Sequence, residues 1–374
     1  MRVLLNISRF IVGVLFIFSG LVKANDPLGL SYKMQEFFEV WGWHGLHDFT
    51  LAFSIIIIAF EIIAGMAVLI GWQFRLFSWL LLLLIIFFTF LTGYAVLSGD
   101  IKECGCFGDC IKLTAWDSFI KDLVLTGLIV LLFLNRHKVQ PLFSRNANIA
   151  VLLVTTLAAL WMQWHVLEHL PLVDCLPYKK GNNVLEKMKI PPGAIPDSSV
   201  ITFVYRKDGK DIEFTADKFP DDFGDQYTFV KRYDKLVRKG NAQAAIRDFS
   251  LKDSTGMDVT NQYFSMPGRK VLLFVRDIPA DLSEHAAHLN LVYNAARELN
   301  ADFSVATSTP ADTKAAIDKI FEGKLPLNYL SCDAVAIKTA SRSSITIYLI
   351  NDATVVNKWA YEDANKAASE IREQ

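Results

Sequence analysis

The sequence predicts a membrane α-helical bundle followed by a C-terminal α/β soluble domain, and three observations predict it. Of 374 residues, 52% are hydrophobic, and the apolar ones crowd into roughly the first 170 positions. Five runs in that region reach the ~20 residues that a helix needs to cross a bilayer. From residue 246 onward, short β-branched runs alternate with amphipathic helical ones. The formal net charge of −1 gives no reason to expect a nucleic-acid partner. The expected partner of residues 1–170 is the lipid bilayer.

The five spans lie near residues 4–22, 51–71, 76–98, 115–134 and 148–168. The first carries Arg9, and Val22-Lys23-Ala24 resembles a small-residue signal-peptidase site, so a cleaved signal peptide is the alternative to an uncleaved first span. Arg2, Arg75, Arg136, Lys138 and Arg145 fall in loops on one side, with no acidic residue among them. The alternate loops mix Lys23, Lys33, Lys102 and Lys112 with Asp26, Glu36, Glu39, Asp100, Glu103 and Asp109. Positively charged loops face the cytoplasm. The N-terminus is therefore expected inside a bacterial inner (cytoplasmic) membrane, with the loop at 99–114 and everything beyond residue 170 extracytoplasmic.

Residues 27–50 place Leu28, Leu30, Met34, Phe37, Phe38 and Trp41 at helical spacing, which suits an interfacial helix. It serves either as a lid over the outer mouth of the bundle or as a plain anchor. Glu61 stands in the middle of the second span, where an ionisable group is costly and faces the bundle interior with a partner; Lys23 and Arg9 are the candidates. Thr114-Ala115-Trp116-Asp117 has the spacing of a helix N-terminal cap. Lys121 and Asp122 follow one turn later and pair within the bundle, for structure or for proton handling. His165-Val166-Leu167-Glu168-His169 matches an inverted zinc-protease string, but no third ligand accompanies it.

Three of the five cysteines occupy Cys104-Gly105-Cys106-Phe107-Gly108-Asp109-Cys110. Gly105 and Gly108 allow the tight bends that bring these thiols together. A ring closed through C-x-C is strained, and strained disulfides are the reducible kind. Redox-active thiols lead, ahead of a loop-stapling disulfide and of a metal site, whose spacing favours C-x-x-C pairs. Three clustered cysteines leave one unpaired, and Cys175, just beyond the fifth span, is the candidate fourth thiol. On the extracytoplasmic face such thiols stay oxidised.

Residues 171–245 read as a proline-containing linker with a β-hairpin, Val200–Tyr205 and Ile212–Thr215 about an Asp208-Gly209 turn. Residues 246–374 offer strands at Val271–Val275, Phe303–Ala306, Ile345–Ile350 and Thr354–Trp359. Helices are expected at Leu282–Leu299, Ala311–Phe321 and Asp363–Glu373. That order is the thioredoxin-like arrangement.

The strings Phe16-Ile17-Phe18-Ser19-Gly20-Leu21-Val22-Lys23, Glu61-x-x-x-Gly65 and Cys104-Gly105-Cys106-Phe107-Gly108-Asp109 together resemble the DoxX and MauE group of small membrane proteins, over about residues 1–135. The resemblance implies a four-helix core, to which the fifth span is an addition. It also implies a redox association: MauE proteins with disulfide formation in a periplasmic dehydrogenase of methylamine utilisation, DoxX proteins with thiosulfate-to-quinone electron transfer. The C-terminal region resembles a thioredoxin-like domain of the peroxiredoxin-related type, but Arg276-Asp277-Ile278-Pro279-Ala280-Asp281-Leu282 holds no thiol where active members carry one. No proline stands before Ile345, where the resemblance implies a cis-proline. Cys332 is alone in this domain and reads as a buried, inert thiol.

These readings converge on thiol–disulfide exchange or electron transfer through Cys104, Cys106, Cys110 and Cys175. The acceptor would be a membrane quinone, Glu61, Lys23 and Asp122 would handle protons or pair within the membrane, and an extracytoplasmic thiol protein would be the client. Two other classes stay open. One is a non-enzymatic scaffold that recruits a partner through the soluble domain; the other is a small-solute transporter using Glu61 and Lys23, disfavoured by the absence of an internal repeat.

Overall fold

The computed structural model describes the chain except residues 1, 100, 102–104, 106, 112, 196–197, 239, 241, 280–281, 284–285, 322 and 324. Six helices build the N-terminal bundle: α1 (Arg2–Ala24), α2 (Pro27–Val40), α3 (Thr50–Ile70), α4 (Phe74–Ser98), α5 (Ala115–Leu134) and α6 (Arg145–Glu168). Among the described residues four helical segments are long and apolar enough to cross a membrane, Arg2–Ala24, His44–Ile70, Phe74–Ser98 and Arg145–Glu168. The chain is a membrane protein. The expected fifth span, α5, is a helix of 20 residues but is not among those four, because Asp117, Lys121 and Asp122 interrupt its apolar run. Large apolar side chains such as Leu83, Phe90, Leu153 and Leu157 face outward from α4 and α6, as a lipid-facing surface requires.

The bundle packs on small residues. A Cβ on Gly13 would lie 3.0 Å from the Gly65 carbonyl oxygen, and one on Gly20 would lie 2.5 Å from Ile62 Cγ1. Only glycine lets α1 and α3 approach this closely, which is how transmembrane helices gain contact where lipid offers no hydrophobic driving force. Helix α2 lies across the outer end. Asp26 caps it, its Oδ1 accepting from Gly29 N at 3.0 Å.

Beyond α6 the chain is less of a linker than its prolines suggest. Tyr178 and Val184, the latter opening the short α7 (Val184–Lys187), are buried in the soluble core. Gly181 and Val184 donate backbone bonds to Val355 and Ala353. Strands β1 (Ser198–Lys207) and β2 (Lys210–Thr215) form the expected hairpin. Its turn residues Asp208 and Gly209 both have positive φ, 50° and 75°, the geometry of a two-residue type I′ turn. A third strand, β3 (Thr228–Arg238), which the hairpin reading lacks, pairs with β1.

The C-terminal unit runs β4 (Leu251–Lys252), α8 (Thr260–Ser265), β5 (Arg269–Val275), α9 (Ala286–Glu298), β6 (Asp302–Thr307), α10 (Pro310–Phe321), β7 (Asn328–Cys332), α11 (Ala334–Ala340), β8 (Ile345–Asn351), β9 (Thr354–Ala360) and α12 (Ala364–Arg372). Its sheet has the order β4-β7-β6-β5-β8-β9. Strand β5 is parallel to β6 and antiparallel to β8. Because β5 is covered on both faces, its apolar run is continuous rather than alternating. Val271, Leu273 and Val275 meet α9 and α12, while Leu272 and Phe274 meet Tyr178, Phe249 and Ile337. The sequence reading lacks β4, α8, β7 and α11, and the expected helix start at Leu282 is a turn, with α9 described from Ala286.

Candidate functional site

Lys23 ends α1 and Glu61 sits mid-way along α3, so the approach of these helices at Gly20 and Gly65 brings the two side chains together. Lys23 Nζ lies 2.5 Å from Glu61 Oε1, and Ser19 Oγ donates to Glu61 Oε2 at 3.3 Å. Both charged residues are buried. Of the two partners expected for Glu61, Lys23 fills the role; Arg9 instead donates to the Gln140 carbonyl at 3.4 Å. Asp122, also buried, accepts from Lys121 Nζ at 2.6 Å and, across the helix pair, from Thr92 Oγ1 of α4 at 3.2 Å. Thr114 caps α5, its Oγ1 accepting from Asp117 N at 3.2 Å.

Both ion pairs line one cavity of about 260 Å³ enclosed by α1, α2, α3, α4 and α5. Its walls are otherwise mostly apolar, with Ser19, Lys33 and Thr92 the other polar residues: Phe16, Phe37, Phe88 and Leu125 contribute, as do Met34 of α2 and Trp41 just after it. Lys23 Nζ stands 4.9 Å from the Phe88 ring centroid, a cation–π contact. The helix expected as a lid or an anchor therefore forms part of the cavity wall.

The cysteine loop contributes to the wall of this cavity. Gly105 and Phe107 are among its lining residues. The Phe107 ring lies 5.8 Å from Phe18 of α1 and 5.3 Å from Lys121 Nζ. Gly105 and Gly108 have φ of 68° and 56°, and Gly108 N donates to Gly105 O at 3.0 Å. The loop thus turns where glycine permits it. A Cβ on Gly105 would lie 3.0 Å from Lys33 Cγ, so the stem of Lys33 rests on the loop.

Cys110, at the end of the loop, is joined to Cys175, 65 positions later, with the Cα atoms 4.9 Å apart. Cys104 and Cys106 lie outside the described residues. Cys332 is buried and free; burial first, with help from Asp333, pushes its thiol up to about 12. A thiol held protonated in this way is a poor nucleophile at neutral pH. The zinc-protease string is used differently: His169 Nδ1 lies 3.0 Å from Asp363 Oδ1 of the soluble domain, and His165 stacks on Trp161.

Sequence reasoning missed the residue that ties the two units together. Arg342, buried between α11 and β8, donates Nε to Asp26 at 2.8 Å and Nη2 to Asp109 at 2.7 Å. Burial acts against the charge on Arg342, yet Asp26 and Asp109 hold its pKa above the ordinary arginine value. Burial raises the pKa of Asp26, against the pull of Arg342. Nearby, Lys358 pairs with Asp174 at 2.7 Å, and Asn25 exchanges two hydrogen bonds with the backbone of Val173. Asp26 as a helix cap was open to sequence reading; nothing in the sequence marks Arg342.

The fold and site define a class: a helical membrane bundle with buried ion pairs around an apolar cavity, walled in part by a cysteine loop that is disulfide-bonded to the segment after α6. Residues 1–135 match the family described as methylamine utilisation protein MauE, so the resemblance carried by Gly20, Glu61, Gly65 and the Cys-Gly-Cys-Phe-Gly string holds over that segment. Residues 199–239, which span β1 to β3, match a domain of unknown function, DUF8463. No curated protein and no solved structure matches the chain.

Proposed function

We propose that this protein is a membrane thiol oxidant. It takes electron pairs from extracytoplasmic dithiols through its four N-terminal cysteines and delivers them to a membrane quinone in the bundle cavity. One observation carries the reading: the loop of residues 105–110 walls the apolar cavity with Gly105 and Phe107 and bears the Cys110–Cys175 disulfide at its far end. Gly105, which lines the cavity, is the chain neighbour of both Cys104 and Cys106. The cavity residues suit a quinone ring, with aromatic walls and few polar groups, as small-molecule sites have. A quinone bound there supplies the two-electron oxidant. Lys23 Nζ would donate a hydrogen bond to a carbonyl oxygen, and Glu61 and Asp122 would relay protons as the cysteines are reoxidised.

The membrane-side details belong to the same proposal. With α5 counted as a fifth crossing helix and the basic loops inside, the cysteine loop and the soluble domain face the outside of the cytoplasmic membrane. There disulfides persist. The parallel β5–β6 pair, antiparallel β8 and β9, and helices α9 and α12 on one face support a thioredoxin-like domain, here without a reactive thiol, that docks clients. The family description, methylamine utilisation, supports service to a redox system without naming this chain's client. A scaffold reading draws on one specific observation, the disulfide and Arg342 clamping the two units together.

The test is oxidation of dithiothreitol by a short-chain ubiquinone, with the protein in liposomes. We expect replacement of Cys104 and Cys106 by serine to lower the rate at least ~100-fold, about 3 kcal/mol of barrier, and Glu61→Gln to lower it less. A rate unchanged when all four cysteines are serine would leave the scaffold reading in possession.

A further inference from the structure

A second space lies outside the bundle. A cleft of about 370 Å³ opens between α2 and α11, with Tyr32, Lys33 and Gln35 on one wall, Val335 and Lys338 on the other, and Cys175 among its lining residues. Its volume falls in the range of about 300–1,000 Å³ usual for ligand sites. Cys110 does not line it. Cys110 borders, together with Cys175, a separate crevice of about 10 Å³ beside Val22 and Pro171, and it is the more exposed of the two residues. The disulfide is thus presented unevenly: a chain segment lying in the cleft meets Cys175, while Cys110 faces solvent and the small crevice. Asp109 lines both spaces, and Lys33 lines both the cleft and the bundle cavity. The loop of residues 105–110 therefore partitions the cleft from the cavity.

The cleft sets three cations, Lys33, Lys338 and Arg342, against three carboxylates, Glu36, Glu39 and Asp109. Lys33 is paired with Glu36 at 2.8 Å and Arg342 with Asp26 and Asp109. Lys338 bonds only the neutral Gln35 Oε1, at 3.1 Å, and lies 5.2 Å over the Tyr32 ring; among the described residues it pairs with no carboxylate. A nearby ammonium lowers the pKa of an incoming thiol and raises its thiolate fraction.

We propose that the cleft receives an extended, cysteine-bearing segment of a reduced client protein and that Cys175 is the sulphur the client attacks; this rests on the thiol-oxidant reading above. The client thiolate bonds to Cys175 Sγ as the Cys110–Cys175 bond breaks, and Cys110 leaves as a thiolate. The client's second thiolate then displaces Cys175, so the client departs as a disulfide and two electrons remain on Cys110 and Cys175 as thiols. Attack of the Cys110 thiolate on a disulfide formed by Cys104 and Cys106, resolved by the Cys175 thiolate, would re-form the Cys110–Cys175 bond and leave Cys104 and Cys106 as the two thiols. A membrane quinone would accept that pair with two protons, leaving as the quinol while Cys104 and Cys106 regain their bond.

The experiment uses the full chain in lipid nanodiscs, mixed with a short reduced peptide holding one central cysteine or with 2-mercaptoethanol. The reaction is quenched in acid and mapped by mass spectrometry. The expected result is peptide on Cys175 in excess over Cys110 by about tenfold or more. Val335→Trp, on a side chain that is 69% exposed, should slow the peptide adduct about tenfold by filling the cleft and leave the mercaptoethanol adduct unchanged. Peptide found mainly on Cys110, or a Val335→Trp rate equal to that of the unsubstituted chain, overturns the inference. Quinone-dependent oxidation of dithiothreitol in the same discs separates the two ideas. If it persists beside Cys110 adducts, the cleft assignment alone is wrong; if it is absent and neither cysteine carries peptide, the thiol-oxidant reading fails with it.

Discussion

Lys23 and Glu61 show what one residue can reveal about a buried site. Each stands in an apolar run where a lone charge is costly, and that cost marks them as functional or paired from sequence alone; the same holds for Asp122. The pairing of the cysteines was not legible, because four cysteines allow three connectivities and only the folded chain brings Cys110 to Cys175. Arg342 was hidden for another reason: its partners Asp26 and Asp109 lie 316 and 233 positions away, and nothing local distinguishes it. The Lys23–Glu61 pair leads to a direct expectation. Lys23→Met leaves a buried carboxylate without its counter-charge and should destabilise the bundle by about 3–5 kcal/mol. The double change with Glu61→Leu should recover most of that loss, read as the thermal midpoint in detergent. A double variant as unstable as the single one would show that the pair does not act as a unit.

At the scale of elements, helices were legible wherever apolar runs met the length of a bilayer, and the Asp208-Gly209 turn was legible because few dipeptides accept two positive φ values in succession. Strand β3 was not, because Phe229, Lys231, Arg232 and Tyr233 are all exposed, so no buried face imposes an alternating pattern. Helix α5 sits between these cases, helical throughout but with its charges gathered in the first two turns beside the cavity. The α1–α3 contact offers the sharper test. A Cβ on Gly65 would sit 3.0 Å from Gly13 O and Ile17 N, which are backbone atoms and cannot swing aside, so Gly65→Val should cost about 1–3 kcal/mol. Gly127 of α5 has no non-local atom within 4 Å of such a Cβ, and Gly127→Ala should leave stability level or slightly raised. Equal melting of the two variants would contradict close packing at Gly65.

For the whole molecule, the two-part architecture was legible from the change of periodicity near residue 246, but not how closely the parts are joined. Prolines and lysines between 176 and 197 read as a tether; the structure instead docks Tyr178 and Val184 into the soluble core and seats Arg342 against the membrane unit. Arg342→Met should therefore loosen the junction, since it strands buried Asp26 without its counter-charge, at about 3–5 kcal/mol, and leaves the half-buried Asp109 unpaired. Hydrogen exchange at α11 and at residues 107–110 should speed up while the strands β5 and β8 stay protected. Unchanged exchange at α11 would mean the junction is held elsewhere.

The Cys110–Cys175 bond closes a ring around the whole of α5 and α6. Oxidised, the polypeptide is a hooped chain whose outer helix ends cannot drift apart; reduced, it becomes a single open thread. For a ring of this size, chain-entropy reasoning puts the difference at about 4 kcal/mol. Whatever breaks and remakes this bond also unfastens and refastens the frame that holds the cavity, so under the proposed thiol exchange each turnover would loosen and retighten the molecule.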